Sequence, residues 1–188
     1  MPTAYIGMGS NLPSSAGLPD ATLAAAVRHL ASLGNITARS SLYSTEPVGF
    51  ADQPRFVNAV LALETDLTPQ ALLNGLLAIE HEFGRDRSAG IANGPRTLDL
   101  DLLLYGDLKV SEPGLEVPHL RLTERAFVLI PLNEIAPDAP YVETGTTVSQ
   151  LLHNLHLSHQ CTPHEVVPIQ SDVWRAGAGW DGVDSGAP

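Results

Sequence analysis

Residues 94–104 of this chain read Gly-Pro-Arg-Thr-Leu-Asp-Leu-Asp-Leu-Leu-Leu, an alternation that leaves few folds open. Successive side chains of a β-strand point to opposite faces, so Leu98, Leu100 and Leu102 share one face while Asp99 and Asp101 stand together on the other. The leucine face has to be buried against an apolar layer, and the opposite face carries two carboxylates ~7 Å apart along the strand. Such a pair beside an apolar sheet repels and loses solvation, which a cation between or above it relieves. Hard oxygen ligands suit Mg²⁺, which keeps several waters and takes one or two carboxylates plus substrate phosphates. Arg96, just before the strand, stands where a guanidinium can grip a phosphate in bidentate fashion. The alternative is a half-exposed strand with two solvated Asp residues, but strand interiors are poor in Asp. Metal-assisted chemistry on a phosphorylated substrate is the reading this stretch favours.

The rest of the chain supplies the layers such a strand needs. Ala4 to Met8 is a short apolar strand ending in the turn Gly9-Ser10-Asn11. Leu23, Val27, Leu30 and Leu33 recur at helical spacing, with Asp20 as the expected N-cap and Gly34-Asn35 as the stop. Ile36, Ala38, Ser40 and Leu42 alternate as a half-buried strand, and Phe56 to Glu64 is a further strand after a loop from Thr45 to Pro54. Thr68-Pro69 starts a second helix, whose buried stripe is Leu72, Leu73, Leu76, Ile79 and Phe83 and which Gly84 closes. Tyr105-Gly106-Asp107-Leu108 reads as a tight hairpin, Thr123 to Ile130 as a short helix limited by Pro131, and Thr147 to about Leu155 as a last helix. The order β-α-β-β-α-β predicts an α+β, ferredoxin-like core: an antiparallel sheet with helices packed on it, followed by a hairpin and C-terminal helices.

Length and composition bound the rest. With 188 residues, 44% hydrophobic and 16% charged, the chain can bury a sizeable core. The expected division is one domain over residues 1–160, with 161–188 an irregular appendage rich in Gly, Ala and Asp. No apolar run reaches the ~18 residues that span a bilayer, the N-terminus lacks the segments of a secretory signal, and a lone cysteine, Cys161, excludes an internal disulfide. A cytoplasmic monomer is expected. The net charge of −11 argues against a nucleic-acid or anionic-membrane partner. Within it, five of the nine Arg residues (Arg85, Arg87, Arg96, Arg121 and Arg125) fall in 41 residues around the carboxylate pair. That clustering suits one small anion, with surface salt bridges as the bland alternative.

The strings GPRTLDLDLLLYG and VPHLRLTERAFVLIPLNEIAP, with YIGMGSNL at the start and ALLNGLLAIEHEFGR between, resemble 6-hydroxymethyl-7,8-dihydropterin pyrophosphokinase over roughly residues 3 to 157. The resemblance implies a folate-pathway enzyme that moves a pyrophosphoryl group from ATP, its co-substrate, to a pterin alcohol. It implies that Asp99 and Asp101 hold two Mg²⁺ ions. It places Glu80, Arg85, Arg87, Arg96, His119 and Arg125 at the ATP, with Arg85, Arg96 and the two Asp residues in the chemistry. It also implies that Phe56 and Phe127 sandwich the pterin, with Asn58, Thr45, Val48 and Asp99 completing that pocket. The chain departs from the family pattern at Asn93, where Trp is expected in a loop one residue shorter, and at Leu120, Leu77 and Glu46, which stand for Tyr, Gln and Pro. These departures touch loops and the nucleotide rim, not the metal pair.

Two rivals stand beside that reading. A non-catalytic ferredoxin-like binding module needs no paired Asp ringed by Arg, and a phosphohydrolase needs a residue to place water in line, for which no Gln, Glu or Lys stands out. The run His153, His156, His159, Cys161 and His164 has ligand types for zinc. Its spacing does not form a helical pair, however, and the expectation is a tail dispensable beyond Leu157.

Overall fold

In the computed structural model, which describes residues 1–87, 93–158 and 166–176, the first half runs β1 (Thr3–Ser10), α1 (Pro19–Leu30), β2 (Asn35–Arg39), β3 (Leu42–Thr45), β4 (Phe56–Glu64) and α2 (Pro69–Glu82). The second half runs β5 (Asp99–Tyr105), β6 (Val110–Glu112), β7 (Leu115–Val117), a 3₁₀ turn (Leu122–Glu124), α3 (Ala126–Ile135), β8 (Pro140–Tyr141), β9 (Thr146–Thr147), α4 (Val148–Leu157), β10 (Val166–Ile169) and α5 (Asp172–Ala176). The main sheet has the order β10-β3-β4-β1-β5, with β2 pairing β4 beyond the end of β3. Every pairing in it is antiparallel, which is the expected ferredoxin-like arrangement.

The sheet is covered on both faces. Leu98, Leu100 and Leu102 pack with Leu23, Leu30, Leu72 and Leu76 of α1 and α2. The other face meets α3 and α4 through Leu103, Leu104, Val128, Leu129, Leu132 and Leu155. Leu103 continues the alternation on the aspartate face, whereas Leu104 joins it there because the β1–β5 register slips between Tyr5 and Ile6, which pair with Leu104 and Leu102 and leave Leu103 as a bulge. The Asp residues therefore share their face with α3 but lie beyond its apolar contact, at the end of the sheet.

Several local expectations hold. Thr68 caps α2 by accepting from the Ala71 N–H, and Gly84 follows it at φ 81°, where a glycine costs least. Thr147 caps α4 in a reciprocal box with Gln150. Others are corrected. Asp20 is not the cap of α1: Leu18 is, with Pro19 in the first turn, and Asp20 instead accepts a hydrogen bond from Ser171 Oγ at 2.7 Å. Tyr105 to Leu108 forms a turn rather than a hairpin, since β6 pairs with β7 across Pro113-Gly114 and not with β5. Pro131 does not end its helix; α3 passes through it to Ile135. Burial of Val128, Leu129 and Leu132 outweighs the lost backbone hydrogen bond, a cost on the order of 3 kcal/mol. The strand expected over Ile36–Leu42 is two, broken at Ser40, whose N–H and Oγ bond the carbonyl and N–H of Val60.

The largest correction is C-terminal. Residues 166–176 are not an irregular appendage: β10 extends the sheet beyond β3, and Trp174 is 6% exposed within the core against α1. Pro168 disguises this strand in the sequence, yet an edge strand is where a sheet tolerates proline. Of the His/Cys run, His153 and His156 lie exposed on α4, and His159, Cys161 and His164 lie outside the described residues. Among the described residues no helix is long and apolar enough to cross a membrane.

Candidate active site

At the end of the sheet, between β1, β4, β5, the start of α3 and the loops after β3 and α2, lies a cavity of about 220 Å³. Its floor exists because β1 carries glycine where β5 carries aspartate: Gly7 pairs with Asp101 and Gly9 with Asp99. A Cβ on Gly9 would sit 2.8 Å from Oδ1 of Asn58 on the neighbouring β4, so glycine there leaves room for that amide. Both carboxylates open into the cavity, their side chains 22% and 31% exposed for Asp99 and Asp101.

Guanidinium groups ring the pair. Asp99 accepts from Arg96 Nη1 at 2.8 Å and faces Arg85 Nη2 at 3.3 Å, while Arg125 Nη1 stands 3.6 Å from Asp101. Burial, and next the charge of Asp99, push the Asp101 carboxyl up to about 6. A second negative group at this spot is held against its own desolvation, which is the condition a bound cation relieves. Burial lowers the Arg85 and Arg125 pKa values, and Arg85 Nε is buried with no hydrogen-bond partner among the described residues. The wall thus holds guanidinium charge at a cost in solvation, which a bound anion would relieve. His119 also faces the cavity; burial, then Arg125, lowers its pKa, so the neutral ring dominates near pH 7. Its Nδ1 accepts from the Arg121 N–H at 3.2 Å, which leaves Nε2 carrying the proton as a donor.

The same cavity has an aromatic part beside this wall. Phe56 on β4 and Phe127 on α3 line it, with the Arg96 guanidinium 5.2 Å from the first ring centre and Arg125 5.6 Å from the second. Asn58, on the same face of β4 as Phe56, donates from Nδ2 to Thr45 Oγ1 at 2.7 Å. Val48 and Glu46 form the rim, and Glu46 pairs with Arg55. A second, more open cavity of about 770 Å³ runs along the β6–β7 hairpin and shares Arg87, Asp101, His119, Arg121 and Arg125 with the first. Two aromatic rings with an amide beside them, an anionic pair with five arginines, and an adjoining groove together suit a planar ligand and a polyphosphate ester.

The sequence-derived set is thus brought together on one cavity wall, with one exception. Glu80 lies beneath the wall, 1% exposed, because its carboxylate is engaged by Arg87 Nε and Nη2, each at 2.8 Å, and by the Leu100 N–H at 2.8 Å. Leu120, 74% exposed, stands at the rim of the second cavity, and Leu77 is half-buried on α2. Asn93 sits at φ 58°, which Asn tolerates better than most residues, and its carbonyl accepts from Gln53 Nε2 at 2.8 Å.

Sequence reading missed Asn11. Its side chain is 3% exposed, accepts from the Arg96 N–H at 2.7 Å, and donates to Gln53 Oε1 and the Pro54 carbonyl, each at 3.0 Å. One amide therefore joins the β1 turn to the loops on both sides of the cavity. The signal was present as Gly9-Ser10-Asn11, which reads only as a turn until the loops it bonds are in place.

Residues 5–137 match the family model described as 7,8-dihydro-6-hydroxymethylpterin-pyrophosphokinase. A protein of Methylorubrum extorquens named 2-amino-4-hydroxy-6-hydroxymethyldihydropteridine pyrophosphokinase is 46% identical over 157 residues, covering 82% of this chain and 94% of its own. The protein of that name from Pseudomonas aeruginosa is 48% identical over 134 residues, 71% of this chain and 80% of the relative. Among solved structures, wild-type HPPK-DHPS of Plasmodium falciparum with SDX-DHP superposes with a TM-score of 0.60 at 16% identity. That match covers 85% of this chain but 44% of the larger protein, and it speaks to the fold alone.

Proposed function

The chain belongs to the 7,8-dihydro-6-hydroxymethylpterin-pyrophosphokinase family, and from that premise we propose how its residues divide the work of the reaction. The enzyme transfers the pyrophosphoryl group of ATP to the hydroxymethyl group of 6-hydroxymethyl-7,8-dihydropterin in folate synthesis, giving AMP and the pterin diphosphate. The observation that carries the assignment of roles is the single cavity that Phe56, Phe127 and Asn58 share with Asp99 and Asp101.

The pterin ring lies between Phe56 and Phe127 by offset stacking. Asn58 reads its polar edge, held at the correct angle by Thr45, with Val48 closing the slot from the loop. This orientation carries the hydroxymethyl group toward Asp99. ATP enters along the second cavity, so that its phosphates reach Arg85, Arg87, Arg96, His119 and Arg125 where the two cavities meet.

Asp99 and Asp101 fit hard dications: the carboxylates share one strand face, and Asp101 is held uncomfortably desolvated. Among the described residues no group of three or more His, Cys, Asp or Glu forms a closed metal cage, which suits ions that draw their other ligands from water and phosphate. Mg²⁺, two ions at this pair, supplies when bound the neutralisation of phosphate charge and a lowered pKa for the alcohol. Arg85 and Arg96, which now face Asp99, turn to the phosphates once that carboxylate is otherwise engaged. The pterin oxygen attacks the β-phosphorus, the bond from that phosphorus to the α-phosphate oxygen breaks, and AMP leaves with the electron pair. The alcohol proton leaves to the carboxylate pair. His119 Nε2–H and the guanidinium groups hold the developing charge, which is most of what phosphoryl transfer asks of a protein.

Incubation with ATP and Mg²⁺, with and without hydroxymethyl-dihydropterin, tests the reaction. AMP is expected only when the pterin is present; ADP or phosphate in its absence would mean a hydrolase. The division of the cavity is tested by Phe127→Ala. Loss of a stacking partner and its buried area is expected to raise the pterin KM about tenfold, equivalent to ~1.4 kcal/mol, with the ATP KM little changed. Equal rises for both substrates would make that ring structural.

A further inference from the structure

Residues 166–176 lie outside the 5–137 span that matches the family, yet they are tied to the strand that feeds the pterin slot. We propose that this C-terminal segment is a positioning element for pterin binding: it fixes β3, and through Thr45 it sets Asn58 and the start of the loop that lines the slot. The proposal rests on the assignment of that slot to the pterin.

Val166, Val167, Pro168 and Ile169 pair in register with Thr45, Ser44, Tyr43 and Leu42, so β10 covers the whole length of β3. Thr45 is the last residue of β3, is 2% exposed, and accepts the Asn58 amide at 2.7 Å; the next residue, Glu46, already lines the cavity. Without β10, β3 would be the free edge of the sheet and the loop after it would hang from an unpaired strand. Free edges fray and slip more readily than paired strands.

The segment is also anchored. Trp174 is 6% exposed, and its indole N–H donates to the Ser40 carbonyl at 3.1 Å, at the break between β2 and β3. The Arg39 guanidinium lies 4.7 Å from the Trp174 ring centre and donates to the Arg175 carbonyl at 3.3 Å. Ser171 Oγ donates to Asp20 of α1 at 2.7 Å and accepts from the Trp174 N–H at 3.2 Å.

The effect should be selective. None of Arg39, Ser40, Ser171 or Trp174 lines either cavity, and none touches the carboxylate pair. The start of β3 has a second support, because Glu134 of α3 accepts from the Ser41 N–H, Ser41 Oγ and Tyr43 OH. Loosening the C-terminal anchor therefore shifts the strand end at Thr45 rather than releasing the strand. The arginine wall, carried by residues that follow α2, precede β5 and flank the 3₁₀ turn before α3, keeps its own supports.

Steady-state kinetics on the full-length chain decide the matter, with thermal melts run on every variant. Trp174→Ala is expected to raise the pterin KM about fivefold to tenfold while the ATP KM and kcat stay within about twofold, a split that general destabilisation does not produce. Trp174→Phe, which keeps an aromatic ring but loses the N–H to Ser40 and part of the indole's buried surface, and Ser171→Ala are expected to raise the pterin KM by about twofold to threefold. If Trp174→Ala does not fold, these two milder variants carry the decision. An unchanged pterin KM in the folded variants, or parallel rises in both KM values, overturns the proposal. Phe127→Ala is the control: if it too leaves the pterin KM unchanged, the slot is misassigned. If it raises that KM while the C-terminal variants do not, only the positioning role fails.

Discussion

Asp99→Asn and Asp101→Asn are each expected to leave a folded protein that transfers pyrophosphate at least ~1,000-fold more slowly, a loss of ~4 kcal/mol of transition-state stabilisation. The amide keeps the carboxylate's shape and remains a hydrogen-bond acceptor for Arg96 or Arg125, so the wall retains its form. What it loses is the negative charge that holds a dication against phosphate. The fold has little reason to suffer, because Asp101 is disfavoured as a charge where it stands: burial and Asp99 both push its carboxyl up. Replacing it with a neutral group should leave the melting temperature at neutral pH unchanged or raised. Activity within tenfold of the parent in either variant would remove the metal assignment, and collapse of the melt would show that the pair is structural.

Glu80→Ala is expected to act on the other side of the ledger, costing ~3 kcal/mol of stability. For a chain of this size that lowers the melting temperature by ~6–12 °C. Glu80 is 1% exposed and accepts three hydrogen bonds, and the one from the Leu100 N–H grips β5 at the residue between the two aspartates. Its removal leaves that backbone N–H buried without a partner and frees Arg87 from the wall. Glu80→Gln keeps an acceptor for Leu100, and about half the stability loss should return, with the ATP KM still raised because Arg87 is no longer held. A melting temperature within about 2 °C of the parent in Glu80→Ala would mean that water or a neighbour takes over the Leu100 N–H.

The legible part of this protein is the part whose cause is local. Alternation placed Leu98, Leu100 and Leu102 on one face and the aspartates on the other because a strand allows nothing else. Thr68 and Gly84 bounded α2 because caps answer to backbone groups within four residues. Family resemblance carried the remaining site residues, and the cavity gathers all of them except Glu80. Pro131 misled because its helix penalty is local while the burial that overrides it comes from the sheet. Asp20 misled because its partner, Ser171, lies 151 residues away.

By itself, then, the sequence determined the succession of strands and helices apart from the break at Ser40, the two-faced strand and the chemistry its carboxylates call for, since each follows from periodicity or from residue type at fixed spacing. Only the tertiary structure decided that Glu80 supports the wall instead of forming it, that Asn11 joins three segments at one amide, and that Val166–Ile169 and Trp174 belong to the sheet and core. Those roles depend on which buried donor has no other acceptor, and on which edge of the sheet is left open, once the whole chain has packed. No window of sequence contains either quantity.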